Sequence, residues 1–166
     1  MQQVNITTSG VISGNTSQVY VIKNPLIFIY NPIAPWDWYT NTGNHNDNLW
    51  GDGTGKSAFD PCPKNWRVPP DASTTFGDFA STSTASGLEY TINAGRIYHN
   101  MAWFPAGGYR TNGGYGVLSG VGNYGYYWSA MIGGTSARTL YFNLSTLLSS
   151  STGRRAGGFS VRCVQE

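Results

Sequence analysis

The sequence is short of charged residues, and the few it has are unevenly distributed. Charged residues make up only 11% of the 166 residues. Residues 91–166 contain six arginines, no lysine and a single acid, Glu166, whereas residues 1–90 contain seven acids and four bases. A nucleic-acid interface requires a denser basic cluster, usually with lysines along one face. We therefore expect no nucleic-acid partner, and we expect the arginines to be scattered over a nearly neutral surface.

The sequence also lacks a long apolar run. The longest candidate, residues 19–30, is interrupted by Lys23, Asn24 and Pro25 and is well short of the ~20 residues that span a bilayer. Residues 1–5 have neither a basic start nor an apolar stretch. We therefore expect no membrane insertion by this chain, and any targeting segment should lie outside it. The oligomeric state is left open.

Cysteine is scarce, with Cys62 and Cys163 as the only two. A zinc site needs about four nitrogen or sulfur ligands, but His45 and His99 are far apart in sequence and there is no Cys-x-x-Cys pair. The residues alone leave two alternatives, a long-range disulfide or two reduced thiols in the core, and they favour the disulfide.

Patterns for calcium binding are incomplete. Residues 44–48, Asn-His-Asn-Asp-Asn, are similar to the start of a calcium loop, but Leu49 replaces the glycine of the sixth position and Gly55 the acid of the twelfth. The sequence therefore predicts no metal and no cofactor. We expect Asp47 and Asp52 to cap turns instead.

Catalytic motifs are missing as well. There is no Gly-x-Ser-x-Gly elbow and no phosphate loop. The acids that lie close in sequence occupy turn-rich, hydrated stretches, where nothing visible would separate their pKa values for acid and base roles. We expect a protein that is not an enzyme.

Glycine and aromatic residues are abundant, with 22 Gly, 11 Tyr and 6 Trp. A disordered chain would be poor in aromatics, so this composition indicates a rigid, loop-rich extracellular module. Trp66, Trp103 and Trp128 are predicted to be core residues. The loop aromatics either cover the edge of the core or stack on a sugar ring; they are Trp36, Trp38, Tyr39 and Trp50.

Short apolar segments separated by glycine and proline predict one α+β domain over residues 1–166, with many short strands and one or two short helices. Residues 1–24 are predicted to be an N-terminal strand extension. Asp71 or Ser73 should cap a helix that buries Phe76, Phe79 and Ala80 on one face. The predicted strands are 4–8, 18–23, 26–30, 88–92, 97–104, 116–118, 126–130, 137–142 and 158–164.

Residues 137–144 alternate between two faces, as strand side chains do. Leu140 and Phe142 should point into the core, so Thr139 and Tyr141 should point outward. Residues 144–157, rich in glycine and serine, are free to return beside them. Trp128, Phe159 and Val161 are expected to be buried with Leu140 and Phe142.

Several segments are similar to one family. They are Asp60-Pro-Cys-Pro-Lys-Asn-Trp-Arg-Val-Pro69, Trp103-Phe-Pro-Ala-Gly-Gly-Tyr-Arg110, Gly125-Tyr-Tyr-Trp-Ser129 and Gly158-Phe-Ser-Val-Arg-Cys-Val164. Together they resemble the FISUMP, or major paralogous domain, family of gut-bacterial surface and fimbrillin-type proteins, over roughly residues 25–166. The resemblance implies a C-type-lectin-like fold, a cell-surface location and a disulfide between Cys62 and Cys163.

The last stretch resembles a target of a diversity-generating retroelement. Asparagine occurs 14 times in the chain but only once, as Asn143, after Asn123. In such targets asparagine codons mutate to codons for many small and polar residues. The resemblance implies a variable protein whose C-terminal surface binds a protein or glycan ligand and serves in cell adhesion. The expected ligand-binding residues are Ile132, Gly133, Thr135, Thr139, Tyr141, Thr146, Leu148, Ser150, Thr152 and Arg154.

A structural role is the alternative. The chain would then be a pilin-like tip or assembly domain, and residues 1–30 would supply an edge strand that pairs with a neighbouring subunit.

Overall fold

The computed structural model describes residues 1–51 and 55–166. Strands β1 (Gln2–Asn5) and β2 (Ile27–Tyr30) pair in parallel. Helix α1 (Gln18–Lys23) lies between them in sequence, so the strand predicted for residues 18–23 is wrong. A parallel pair needs a crossover connection, usually a helix. Here α1 provides it and packs Tyr20 and Val21 against the buried cluster of Ile6, Val11 and Ile29.

Strand β3 (Trp66–Arg67) pairs antiparallel with β12 (Val164–Gln165) and brings the middle of the chain to its last segment. The predicted disulfide between Cys62 and Cys163 is confirmed, with the two Cα atoms 5.8 Å apart. Both cysteines pack against Val68 and Ala130. The disulfide therefore fastens two segments that the β3–β12 ladder already holds together.

Two short helices, α2 (Ala72–Thr75) and α3 (Phe79–Thr82), replace the single helix predicted here. Asp71 caps α2 as predicted, and its carboxylate accepts a hydrogen bond from the Ser73 backbone amide. Gly77 separates the helices. Phe76 and Phe79 are buried, but Ala80 is exposed because the break in the helix rotates it away from the core.

Strands β4 (Ser83–Ser86), β5 (Gly95–Tyr98) and β6 (Ala102–Pro105) form an antiparallel sheet. The predicted strand at residues 88–92 is instead a turn, closed by hydrogen bonds from Thr91 N to Leu88 O and from Ala94 N to Thr91 O. Leu88, Tyr90 and Ile92 are 75%, 72% and 91% exposed.

Strand β7 (Tyr109–Arg110) pairs with β8 (Leu118–Ser119) across a 3-10 turn at Gly114–Gly116. The largest ladder follows it: β9 (Gly125–Gly133), β10 (Ser136–Phe142) and β11 (Leu147–Arg154) form an antiparallel sheet with β10 in the centre. The return segment is thus a full strand. The predicted strand 158–164 is mostly irregular, with Ser160 bonding to the backbone of Tyr126 and Trp128 beside β9.

A cluster of rings forms the main core, which we call the phenylalanine core: Phe76, Phe79, Phe104, Tyr127, Leu140 and Phe142. The centre of the Phe79 ring lies 4.9 Å from that of Phe104 and 5.8 Å from that of Phe142. The architecture is therefore an α+β arrangement of small sheets and short helices around one aromatic core. None of the helices in residues 1–51 and 55–166 has the length and apolar character needed to cross a bilayer.

Three tryptophans were predicted to be core residues, and two of those predictions are wrong. Trp128 is buried, but Trp66 and Trp103 are 44% and 37% exposed. In β3 and β6 the next residue, Arg67 or Phe104, takes the inward position, and strand alternation turns the tryptophan outward. Phe159 and Val161 are half-buried rather than buried.

Candidate functional site

Thr139 marks the centre of β10, where the sequence prediction is wrong. Its side chain is fully buried rather than outward. Thr139 pairs with Trp128 on β9 and with Ser151 on β11, and the pairing register shifts on both sides of it. Alternation does place Thr139 and Leu140 on opposite faces, but both faces of β10 are covered here. The prediction assumed that one face meets solvent.

Four tyrosines and one phenylalanine gather on the Thr139 side of the sheet. We call them the tyrosine cluster: Tyr109, Tyr124, Tyr126, Tyr141 and Phe159. Tyr126 is at the centre, with its ring 4.6 Å from Phe159, 4.8 Å from Tyr141 and 5.1 Å from Tyr109. All five rings are half-buried. Tyr141, which was predicted to face outward, therefore lies in a partly exposed cluster.

Two tyrosines of the cluster, Tyr126 and Tyr141, have pKa values above the ordinary value for tyrosine. Burial, reinforced by the neighbouring hydroxyls of Tyr141, Tyr109 and Tyr124, raises the pKa of Tyr126 to about 12. Burial also raises the pKa of Tyr141, again with help from Tyr124 and Tyr109. These tyrosines are therefore protonated at neutral pH, so that each hydroxyl can both donate and accept a hydrogen bond.

None of the four hydroxyls of the tyrosine cluster makes a hydrogen bond within residues 1–51 and 55–166. Tyr127 behaves differently, because its hydroxyl donates to the Pro105 carbonyl at 2.9 Å. The donor of Tyr127 is therefore used by the fold, whereas the donors of the four cluster hydroxyls are free for a ligand.

Strand β11 supplies exposed residues around the cluster. Leu148 pairs directly with Tyr141 and is 50% exposed. Thr152 and Arg154 are exposed and line a hollow of about 150 Å³. The rest of its lining consists of Tyr109, Arg110, Asn112, Tyr126, Gly153, Gly157 and Phe159. The structure thus brings Tyr141, Leu148, Thr152 and Arg154 together around Tyr126.

Gly153 allows this close packing. A Cβ atom built on Gly153 would lie 2.3 Å from the Phe159 ring and 3.0 Å from that of Trp128. The absence of a side chain therefore lets Phe159 lie against β11 and close the floor of the hollow. Phe159 is also stacked on Trp128, with ring centres 4.3 Å apart.

The other predicted binding residues lie further from the cluster. Ser150 is exposed on β11, Thr146 is exposed in the turn before that strand, and Thr135 is exposed in the β9–β10 turn. Thr146 and Arg154 are separated by about 25 Å of extended chain. Gly133 lies beside Thr152, since a Cβ built on it would be 3.2 Å from the Thr152 methyl group. The predicted binding residues are thus spread over the whole sheet formed by β9, β10 and β11.

Ile132 belongs to a different feature, an apolar cavity of about 340 Å³. Its walls include Phe28, Trp38, Trp50, Trp128 and Phe159. The loop aromatics Trp38 and Trp50 therefore line a cavity, and Trp36 lies under the Arg154 guanidinium at 4.0 Å. Phe159 separates this cavity from the hollow, because it lines both.

An ionic group lies beside the apolar cavity. Asp37 is buried and binds the His45 ring nitrogen Nδ1 at 2.9 Å, and Arg155 binds Asp47 at 2.6 Å and approaches Asp37 at 3.9 Å. The carboxylate of Asp47, which was predicted to cap a turn, instead holds Arg155. Asp52 lies outside the described residues. Within the described ranges no group of three or more His, Cys, Asp or Glu side chains is placed to hold a metal ion.

Sequence reasoning missed much of the hollow, namely Tyr109, Arg110, Asn112, Tyr126 and Gly153. Tyr109, Arg110 and Tyr126 lie in segments that were assigned to the structural frame. One signal was available, because Tyr124, Tyr126 and Trp128 recur at every second residue and so share one face of β9. The contribution of residues 109–112 depends on the tertiary fold and has no comparable sequence signal.

Comparisons with protein-family models, curated proteins and solved structures found no match to this chain. Any functional assignment must therefore come from the arrangement of its own residues.

Proposed function

We propose that this chain is a non-enzymatic ligand-binding or adhesion module of a bacterial cell-surface or phage protein. The observation that supports this most is the tyrosine cluster, four half-buried tyrosines whose hydroxyls are unused by the described residues, beside the exposed side chains of β11. The cluster and β11 together form the proposed recognition surface.

The composition of this surface suits recognition. Tyrosine provides a large contact area at a low cost in conformational entropy, and serine and threonine provide adaptable hydrogen bonds. Here the tyrosine rings are supported from behind by the phenylalanine core, because Tyr127 and Phe142 belong to that core and follow Tyr126 and Tyr141 in sequence. Rings held by a rigid sheet lose little freedom when a ligand binds.

The fold and the family are part of the same proposal. We infer a C-type-lectin-like domain related to the FISUMP family, with a C-terminal surface diversified by a retroelement. Two features support it: the disulfide joins Cys62 and Cys163, as the resemblance implies, and Leu148, Ser150, Thr152 and Arg154 are exposed. Substitutions of exposed side chains usually have little effect on stability.

An extracellular location is part of the proposal, and the disulfide supports it. Disulfides persist in oxidising environments such as the cell surface. The Cys62–Cys163 bond therefore supports export of the protein. The ligand would be a protein or a glycan encountered outside the cell.

Array binding tests the proposal. The chain would be biotinylated, assembled into tetramers on streptavidin and applied to printed glycan and peptide arrays. We expect binding that is lost in the double variant Tyr141→Ala, Leu148→Ser. The matched control is Tyr90→Ala, Leu88→Ser, which makes the same changes at the exposed turn of residues 88–92.

Two outcomes would contradict the proposed function. One is an absence of binding on both arrays. The other is binding that survives the change at the tyrosine cluster but is lost in the control variant.

The structural alternative has one observation in its favour. β1 and β2 form a sheet of only two strands, in which Gln2 and Gln3 are exposed. An unpaired strand edge is a template for another chain. Analytical ultracentrifugation of the chain, with and without Gln3→Pro, tests this role. Assembly that proline abolishes would favour a pilin-like function.

A further inference from the structure

The hollow beside β11 has an unusual charge. Arg110 and Arg154 both line it, and no Asp or Glu is among its lining residues. Within residues 1–51 and 55–166 neither guanidinium forms an ion pair with a carboxylate. Arg110 donates one hydrogen bond, to the Gly116 carbonyl at 3.0 Å, and lies over the Phe28 ring at 5.8 Å, while Arg154 lies over the Trp36 ring. The hollow therefore carries two positive charges without a counterion from the protein.

The next arginine along the chain differs from Arg154 in having carboxylate partners. Arg155 follows Arg154 directly but binds Asp47 and approaches Asp37. Arg162, which makes one carbonyl hydrogen bond and lies over the Phe104 ring as Arg110 does over Phe28, is not among the residues that line the hollow. Arg154 and Arg110 thus keep most of their N–H donors for a ligand. A guanidinium presents these donors as a planar fork that matches a carboxylate.

The size of the hollow limits what enters it. At about 150 Å³ it is smaller than the roughly 300–1,000 Å³ of sites that enclose a drug-sized ligand. It accommodates one ring-sized group, and the rest of the ligand would extend over the tyrosine cluster.

The lining identifies the chemistry of that group. Tyr109, Tyr126 and Phe159 contribute aromatic carbon, which packs against the C–H groups of a sugar ring. The two tyrosines add hydroxyls, and Asn112 adds an amide oxygen, since its amide nitrogen donates to the Asn31 carbonyl, so a ligand rich in hydroxyl groups finds donors and acceptors around it. A peptide side chain would supply a carboxylate but no comparable set of hydroxyls.

We propose that this hollow binds a carboxylate-bearing sugar residue, a sialic or uronic acid, with the carboxylate between Arg110 and Arg154. This inference rests on the proposed function, since it names the ligand class of the same surface.

The test is a titration followed by NMR on the isotope-labelled chain. Its probes are 3′-sialyllactose against lactose, and glucuronic acid against glucose, so that the two acid sources are compared separately. We expect at least one acid to bind at least about tenfold more tightly than its neutral counterpart, because only the acid makes charge-assisted hydrogen bonds. Which acid binds identifies the source.

The variants Arg154→Gln and Arg110→Gln should each weaken the acidic sugar by about tenfold or more and leave the neutral sugar unchanged. The matched control, Arg162→Gln, makes the same charge change outside the hollow and should leave binding unchanged. Thermal melts of all three variants establish that they fold.

Equal affinity for acidic and neutral sugars would overturn the inference, as would acid binding that is unaffected by either hollow variant. A further arm uses N-acetylated triglutamate, and binding of this peptide alone would show that the hollow recognises acidic peptides. If neither acid nor peptide binds while the arrays give cluster-dependent binding, the inference fails and the proposed function stands. If the arrays are also blank, both fail.

Discussion

Two aromatic clusters share the same two strands but differ in nearly every physical property. Tyr126 and Tyr141 belong to the tyrosine cluster, and the next residues along the chain, Tyr127 and Phe142, belong to the phenylalanine core. The core rings are almost completely buried, whereas those of the cluster are half-buried. Alternation along β9 and β10 therefore places the phenylalanine core on one face of the sheet and the proposed recognition surface on the other.

The difference between the clusters shows how polar groups are used. The core contains Tyr127, whose hydroxyl is satisfied by Pro105 and whose pKa is raised by burial. A buried hydroxyl without a partner would cost stability. The cluster can leave its hydroxyls unpaired because water reaches them, and this makes them available to a ligand.

The largest expected effect comes from removing a core ring. Phe142→Ala should destabilise the fold by about 3–5 kcal/mol, because it leaves a cavity beside Phe79 and Tyr127. The matched change one residue earlier, Tyr141→Ala, should cost only about 1 kcal/mol, the value of an aromatic pair at a half-buried site. Urea denaturation measures both. Equal costs would mean that the two faces do not differ as described.

The second-largest loss of stability is expected at Gly153, on the face of the sheet that carries the tyrosine cluster. Gly153→Ala should cost about 1–3 kcal/mol, because its methyl group would displace the Phe159 ring. Gly107→Ala is the control, since a Cβ there meets nothing within 4 Å. Thermal unfolding compares the two, and the NMR signals of Tyr126 should shift only in the Gly153 variant. A harmless Gly153→Ala would argue against close packing of Phe159 on β11.

A smaller change in stability, of the opposite sign, is expected at Thr139, on the same side of the sheet as the tyrosine cluster. Its hydroxyl is buried and has no hydrogen-bond partner within the described residues. Thr139→Val replaces this hydroxyl with a methyl group of similar size, and it should stabilise the fold by about 1 kcal/mol. Ser129→Ala is the contrasting change, because the Ser129 hydroxyl donates to the Arg138 carbonyl and its loss should destabilise. A destabilising Thr139→Val would reveal an unseen partner of the hydroxyl.

The smallest effect at neutral pH is expected for Tyr126→Phe, within about 0.5 kcal/mol, because the hydroxyl has no protein partner in the described part of the chain. At alkaline pH the wild-type protein and the Tyr126→Phe variant should differ in stability. The Tyr126 pKa rises from 10.0 to about 12 on folding, so its contribution to stability is complete below pH 10 and is lost as the pH approaches 12.

Ultraviolet titration of phenolate follows this difference, and pH-dependent urea denaturation measures the stability. The wild-type protein should show one more late-titrating tyrosine than the Phe variant, because the raised pKa values of Tyr127 and Tyr141 are present in both, and the variant should lose less stability above pH 10. Identical titration curves would contradict the burial of Tyr126.

Sequence patterns predicted best where a single rule decides. Alternation placed Leu140 and Phe142 inward, the capping preference identified Asp71, and the family resemblance implied the disulfide. Sequence patterns failed where the conformation of a segment depends on a second structural element. Residues 18–23 have strand propensity but form a helix, because the parallel pairing of β1 and β2 requires a crossover.

The candidate site was predicted in part for the same reason. Tyr141 was named from its position in the predicted strand 137–142, and Leu148, Thr152 and Arg154 were named from the resemblance to a retroelement target. The arginine opposite Arg154 could not be named, since Arg110 reaches the hollow through pairing with Gly158, a contact between distant segments. Thr139 was misplaced because its face of β10 is also covered by the protein, which the alternation of residues 137–144 does not reveal.

The disulfide determines what happens to the protein after proteolytic cleavage. Cys62 and Cys163 lie 101 positions apart, and the bond between them encloses both aromatic clusters in one covalent ring of chain. The exposed turn that carries Leu88, Tyr90 and Ile92 lies inside this ring, and exposed turns are preferred sites of nicking. A cut there leaves two fragments that stay tied to one another through sulfur. The nicked protein would migrate as one band until a reductant divides it, and it could keep its recognition surface intact.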